Sequence, residues 1–107
     1  MAARIAVLIS GTGTLLQSLI DDRHRGYEIV MVAADRPATG LQRASDAGIP
    51  TVVLPPGEHP DRATWSAALA DVVAAYEPDW VVSAGFMRIL DGVFLDRFPQ
   101  RVVNSHP

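Results

Sequence analysis

The chain has 107 residues, 49% of them hydrophobic and 20% charged, with a formal net charge of −3; these values bound it to one globular domain with a core of moderate size. The acidic balance gives no basic face for nucleic acid or an anionic membrane, and the absence of cysteine removes disulfides, thiolate nucleophiles and cysteine metal sites. No apolar stretch reaches the length of a signal-peptide core or a membrane span, so a soluble, cytoplasmic protein is expected.

Apolar runs alternate with helical periodicities, the pattern of βαβ units feeding a parallel sheet. Ile5 to Ile9 is a continuous apolar run, as a strand buried on both faces requires. Ser10-Gly11-Thr12-Gly13-Thr14 breaks it, and Leu15, Leu16, Leu19 and Ile20 then recur at helical spacing. Ile29 to Ala34 reads as a second strand, Thr39 to Ala47 as a short helix ended by Gly48, and Thr51 to Leu54 as a third strand closed by Pro55-Pro56-Gly57. Trp65, Ala68, Leu69, Val72, Val73 and Tyr76 form one apolar helical stripe, with Pro78 beyond its end. Trp80 to Ala84 is a fourth strand, Gly85 to Arg88 a loop, Asp91 the cap of a short helix to Phe98, and Val102 to Asn104 a fifth strand. Trp65, Tyr76 and Trp80 are expected in the core. The fold class is an open, doubly wound α/β sheet, Rossmann-like and mainly parallel.

Such sheets bind ligands beyond the carboxyl ends of their strands, and right-handed crossovers bring those ends to one edge. Three unusual segments fall at strand ends: Ser10 to Thr14, Gly85 to Leu90 and Asn104 to His106. In the first, two glycines open a helix, so backbone amides can approach a phosphate at the positive helix terminus, with Thr12 and Thr14 adding hydroxyls. A plain turn capped by Thr14 is the alternative. In the second, Phe86, Met87, Ile89 and Leu90 surround Arg88, a composition suited either to a slot for a flat heteroaromatic ring or to ordinary core filling. In the third, Asn104 and His106 project to the same side of an extended chain, an amide and an imidazole able to stabilise an oxyanion and move a proton.

Other signals are weaker. Leu16 stands where a dinucleotide fingerprint has its third glycine, and Asp35, placed as a ribose-binding acid would be, is followed by Arg36-Pro37 and reads better as turn chemistry. Arg62 lies one turn before Trp65 and could meet a carboxylate. His24 and His59 share no metal-ligand spacing, so no metal is expected. Ser10 lacks the G-x-S-x-G elbow of a serine hydrolase.

The segments Leu8-Ile9-Ser10-Gly11-Thr12-Gly13-Thr14-Leu15-Leu16, Ser83-Ala84-Gly85-Phe86-Met87-Arg88-Ile89-Leu90 and Val103-Asn104-Ser105-His106-Pro107 together resemble the phosphoribosylglycinamide formyltransferases, folate-dependent enzymes of purine (IMP) biosynthesis. The resemblance spans the whole chain in the family's own order. It implies transfer of a formyl group from 10-formyltetrahydrofolate, as co-substrate, to the amine of 5'-phosphoribosylglycinamide. It places Gly11, Thr12, Gly13, Thr14 and Leu15 on the ribose phosphate. Arg62, Met87, Arg88, Ile89, Leu90 and Asn104 would lie against the folate. Asn104 and His106 would be the catalytic pair, the imidazolium stabilising the tetrahedral oxyanion. Partners are small molecules, without nucleic acid or membrane.

Two departures accompany the resemblance. The family's loop often reads Gly-Asn-Gly-Ser-Asn where this chain has Thr12, Thr14 and Leu15. The family also continues well past its Asn-x-His-Pro element, adding strands and a catalytic aspartate. Residues 1–107 are therefore expected to be the N-terminal part of a single formyltransferase domain, poorly active alone and inclined to homodimerise or self-associate through an uncovered edge or apolar face. The alternatives are a formyltetrahydrofolate deformylase-like hydrolase, against which the phosphate loop argues, and a non-catalytic nucleotide- or phosphate-binding module. A nicotinamide oxidoreductase ranks last.

Overall fold

In the computed structural model, residues 2–86 and 90–105 are described. Five strands form one all-parallel sheet: β1 (Ala3–Ile9), β2 (Tyr27–Ala34), β3 (Thr51–Val53), β4 (Trp80–Ala84) and β5 (Val102–Ser105), in the order β3-β2-β1-β4-β5. Four helices connect them: α1 (Thr14–Asp21), α2 (Gly40–Asp46), α3 (Arg62–Ala74) and α4 (Gly92–Leu95). The order reverses at β1, which pairs with β2 on one side and β4 on the other. That reversal opens a crevice at the carboxyl ends of β1 and β4.

Strand alternation divides the apolar residues of β1 between two cores. Ile5, Val7 and Ile9 face Leu16, Ile20 and Ala44 of α1 and α2. Ala6 and Leu8 face Trp65, Leu69 and Val73 of α3 and Phe94 of α4. The sheet is thus covered on both faces, which explains why β1 and β2 read as unbroken apolar runs. In β2 the alternation slips once. Ile5 pairs with Ile29 and Ala6 with Met31, so Val30 is an extra residue, and Val30 and Met31 both join the α3/α4 core.

Local chemistry sets the helix boundaries. Asp61 caps α3 by accepting from the Thr64 amide at 2.7 Å, and Asp91 caps α4 by accepting from the Phe94 amide. The helix expected from the Trp65 stripe therefore begins a turn earlier, at Arg62, and the short helix after Asp91 ends at Leu95 rather than Phe98. The turn expected at Pro55-Pro56-Gly57 is a 3-10 turn, Pro56–Glu58, and a second 3-10 turn, Arg23–Arg25, had no sequence signal. Trp65 is buried and donates from Nε1 to the Leu54 carbonyl at 2.8 Å, while its ring stacks on Phe86 with centroids 6.2 Å apart. Tyr76 is half-buried against the same core.

Trp80 departs from expectation: it is 43% exposed. By alternation it shares a face with Val82, whose partner Val103 on β5 is 46% exposed. The apolar run of β4 records a strand flanked on both sides by others, but on the α1/α2 side the sheet around Trp80 and Val103 stays open to solvent.

Candidate active site

The loop after β1 takes its shape from Gly13. Its φ is +76°, in the left-handed region where a side chain is strained. Gly13, not Thr14, is the N-cap of α1, and no side chain caps the helix. Thr14 and Leu15 therefore lie in the first helical turn, where backbone amides have no acceptor within the helix. No acidic residue occupies that turn, so the positive end of α1 is not offset by a local carboxylate.

The loop is held from behind by α2. The Gly40 amide donates to the Gly11 carbonyl at 3.0 Å, and Arg43 Nε donates to the Thr12 carbonyl at 2.7 Å. The Gly13 carbonyl accepts from the Gln17 amide at 2.8 Å. The contact between loop and helix is so close that a Cβ on Gly40 would lie 2.8 Å from the Gly11 carbonyl oxygen and from Ile9 Cδ1. Neither Gly40 nor Arg43 was singled out from the sequence. Both act on residues about thirty positions away, and nothing local in Thr39-Gly40-Leu41-Gln42-Arg43 marks that role.

Gly11, Thr12, Gly13, Thr14 and Leu15 line a pocket with Ala84 and Gly85 from the end of β4, enclosing about 190 Å³. That is room for roughly six waters at about 30 Å³ each, enough for a phosphate group. Two of the three segments expected to converge thus meet at the β1/β4 switch point. The third adjoins them through the ladder: Leu8 pairs with Ser83, Ser83 with Asn104, and Ala84 with Ser105.

The sheet separates the remaining candidates from the loop. Asn104 is exposed and by alternation shares the face of Val102, which packs with the α3/α4 core. Arg62 is the exposed first residue of α3, on that same side. Leu90 is half-buried and packs with Phe86 against this core. Met87, Arg88, Ile89 and His106 lie outside the described residues. The loop after β1 and the amide-bearing strand end thus flank one edge of the sheet from opposite faces.

Asp35 directly follows β2 at the carboxyl edge of the sheet. Its side chain is fully buried and paired with the Arg36 guanidinium at 3.3 Å, in keeping with turn chemistry. His24 is exposed in the turn after α1, and among the described residues no three potential metal ligands cluster. No helix among them is long and apolar enough to cross a membrane.

Comparison with known proteins accords with this geometry. Residues 3–107 match the family model described as formyl transferase. The chain is 46% identical over 107 residues to phosphoribosylglycinamide formyltransferase of Mycobacterium tuberculosis, covering 98% of this chain and 50% of that protein. Among solved structures it resembles glycinamide ribonucleotide transformylase 1 from Symbiobacterium toebii, with a TM-score of 0.95 at 41% identity, covering 99% of this chain and 52% of that one. It also resembles phosphoribosylglycinamide formyltransferase from Brucella melitensis, with a TM-score of 0.96 at 32% identity, covering 100% and 58%. The chain spans about half the length of the curated formyltransferase it matches. With its family model covering nearly every residue, and with the fold of these structures, the chain belongs to the formyl transferase family.

Proposed function

We propose that this chain is the N-terminal part of a single formyltransferase domain that transfers a formyl group from 10-formyltetrahydrofolate to the amine of 5'-phosphoribosylglycinamide in purine biosynthesis. The observation that carries the reading is the pocket in which Gly11 to Leu15 meet Ala84 and Gly85 at the switch point. A phosphate there would accept from first-turn amides of α1, and the relatives that share this sheet bear the names of that enzyme.

In this mechanism the substrate phosphate rests on Gly11, Thr12, Gly13, Thr14 and Leu15, and its amine reaches over the sheet edge toward Asn104 and His106. The amine lone pair attacks the formyl carbon, and the carbonyl π electrons move to oxygen. Asn104 donates to that oxyanion and His106, as imidazolium, stabilises it. Collapse breaks the bond to N10 of the folate, the former amine gives up a proton, and N10 takes one up. Arg62, Met87, Arg88, Ile89 and Leu90 hold the folate. His106 acts as the proton carrier, a role worth about 10²- to 10⁴-fold in rate.

The test is formyl transfer measured on three proteins: a longer protein carrying this segment, its His106→Ala variant, and the 107-residue chain. Transfer by the first that collapses in the second supports the assignment. Absence of transfer from a folded longer protein overturns it in favour of a phosphate-binding module. Turnover by the short chain at the rate of the longer one would show that residues 1–107 are sufficient.

A further inference from the structure

We infer that Arg43 is a positioning residue for the phosphate loop, holding the Thr12 carbonyl on the α2 side so that the loop shows amides, not carbonyls, to the ligand. The inference rests on the phosphate-binding reading of residues 11–15. A trans peptide unit points its N–H and C=O in opposite directions. With the Gly11 carbonyl bonded to the Gly40 amide, the Thr12 N–H of that peptide unit points away from α2. With the Thr12 carbonyl bonded to Arg43, the same holds for the Gly13 N–H. With the Gly13 carbonyl turned into α1 toward the Gln17 amide, the Thr14 N–H points out of the helix end. Three successive amides are thereby aimed by three acceptors fixed elsewhere. Two of those acceptors are backbone-held, and the third depends on one side chain.

An arginine suits that third position. Its Nε reaches the Thr12 carbonyl at 2.7 Å while Nη1 donates to Gln17 Oε1 at 3.2 Å, so one planar fork joins the loop to α1 from a base on α2. The guanidinium also carries a permanent charge behind amides that are to face an anion. Thr12 itself is exposed, and no regular secondary structure fixes its peptide. Arg43 is the side chain that holds the Thr12 carbonyl on the α2 side; a carbonyl turned toward the pocket would repel phosphate.

The test is titration of the chain with ribose 5-phosphate, read by calorimetry, with the melting temperature recorded for each variant. Arg43→Met keeps the aliphatic stem and removes every donor. It is expected to weaken binding about tenfold, the scale of one charge-assisted hydrogen bond, with little change in melting. Arg43→Lys, which restores one charged donor, should return affinity to within about threefold of the parent. Parent-like affinity in Arg43→Met overturns the inference. So does an equal loss in both variants accompanied by equal loss of melting temperature, since that marks a brace and nothing more. If Arg43→Met does not fold, Gln17→Leu decides: freeing one arm of the fork should weaken binding about threefold, and no weakening overturns the inference. A parent chain that binds no ribose 5-phosphate overturns the underlying phosphate reading instead, a result separable from the others because it appears before any substitution.

Discussion

Gly13 and Gly40 touch backbone to backbone: a Cβ built on either residue would come within 2.9 Å of the other's Cα. The loop after β1 and the start of α2 are therefore packed at a distance that no side chain permits. That loop is a structural layer of the domain and not a free surface turn.

Gly40→Ala should accordingly destabilise the fold. Its methyl group would meet the Gly11 carbonyl oxygen and Ile9 Cδ1 at 2.8 Å, one of them backbone. A cost of about 1–3 kcal/mol is expected from such overpacking, measured as a lower urea midpoint at unchanged slope. Gly11→Ala is the control, since a Cβ there has nothing within 4 Å. It should leave the midpoint in place.

Trp65 fastens α3 to the sheet both by volume and by its indole N–H. Trp65→Ala should cost about 3–5 kcal/mol. Trp65→Phe should cost less, about 1–3 kcal/mol, from the Leu54 carbonyl left without its donor. Chemical denaturation of the two variants separates the packing contribution from the hydrogen bond.

The pH dependence has opposite signs at the two extremes. Desolvation, assisted by the Asp22 carboxylate, holds the Tyr27 phenol above its ordinary value of 10.0, and its hydroxyl donates to the Leu19 carbonyl. A raised folded-state value means this stabilisation is whole below pH 10 and fades as pH climbs through the folded value. Tyr27→Phe should flatten that alkaline decline. At the other end, the Thr64 amide holds the Asp61 carboxyl below its ordinary value of 3.8. That contribution is present above 3.8 and is lost as pH falls through the lowered value, so Asp61→Ala should unfold with a shallower acid limb. Melting temperature against pH for the parent and both variants tests each sign.

For the proposed catalytic pair, His106→Ala in a longer protein carrying this segment should lower kcat by about 10²- to 10⁴-fold, and Asn104→Ala by about 10²- to 10³-fold. Affinity for ribose 5-phosphate should be unchanged in Asn104→Ala, because Asn104 lies on the opposite face of the sheet from α1. Single-turnover formyl transfer alongside phosphate titration distinguishes loss of chemistry from loss of binding.

Much of this was legible in the sequence, for reasons visible in particular residues. The runs Ile5–Ile9 and Ile29–Ala34 announce doubly covered strands because both of their faces are buried, and parallel topology alone brings Gly11 and Gly85 to one edge. The loop's brace was not legible. Gly40 and Arg43 act across about thirty residues, and contact at that distance has no local signature. Trp80 was misplaced because an apolar strand does not disclose whether a helix covers each of its faces. The start of α3 was set by Asp61 bonding to Thr64, a capping pair that the apolar stripe beginning at Trp65 does not include.

The extra residue in β2 bears on how this chain can vary in length. Ile29 already pairs with Ile5 and Met31 with Ala6, so Val30 occupies no rung of the β1 ladder. Removing it would close the pairing into an uninterrupted ladder, with every later side chain of β2 still facing its present core. Deleting Met31 would leave Val30 on that rung and the same core, whereas a deletion at Val32 would take out a rung instead. β2 can thus absorb a single-residue deletion within Val30–Met31 without shifting the crevice at its far end.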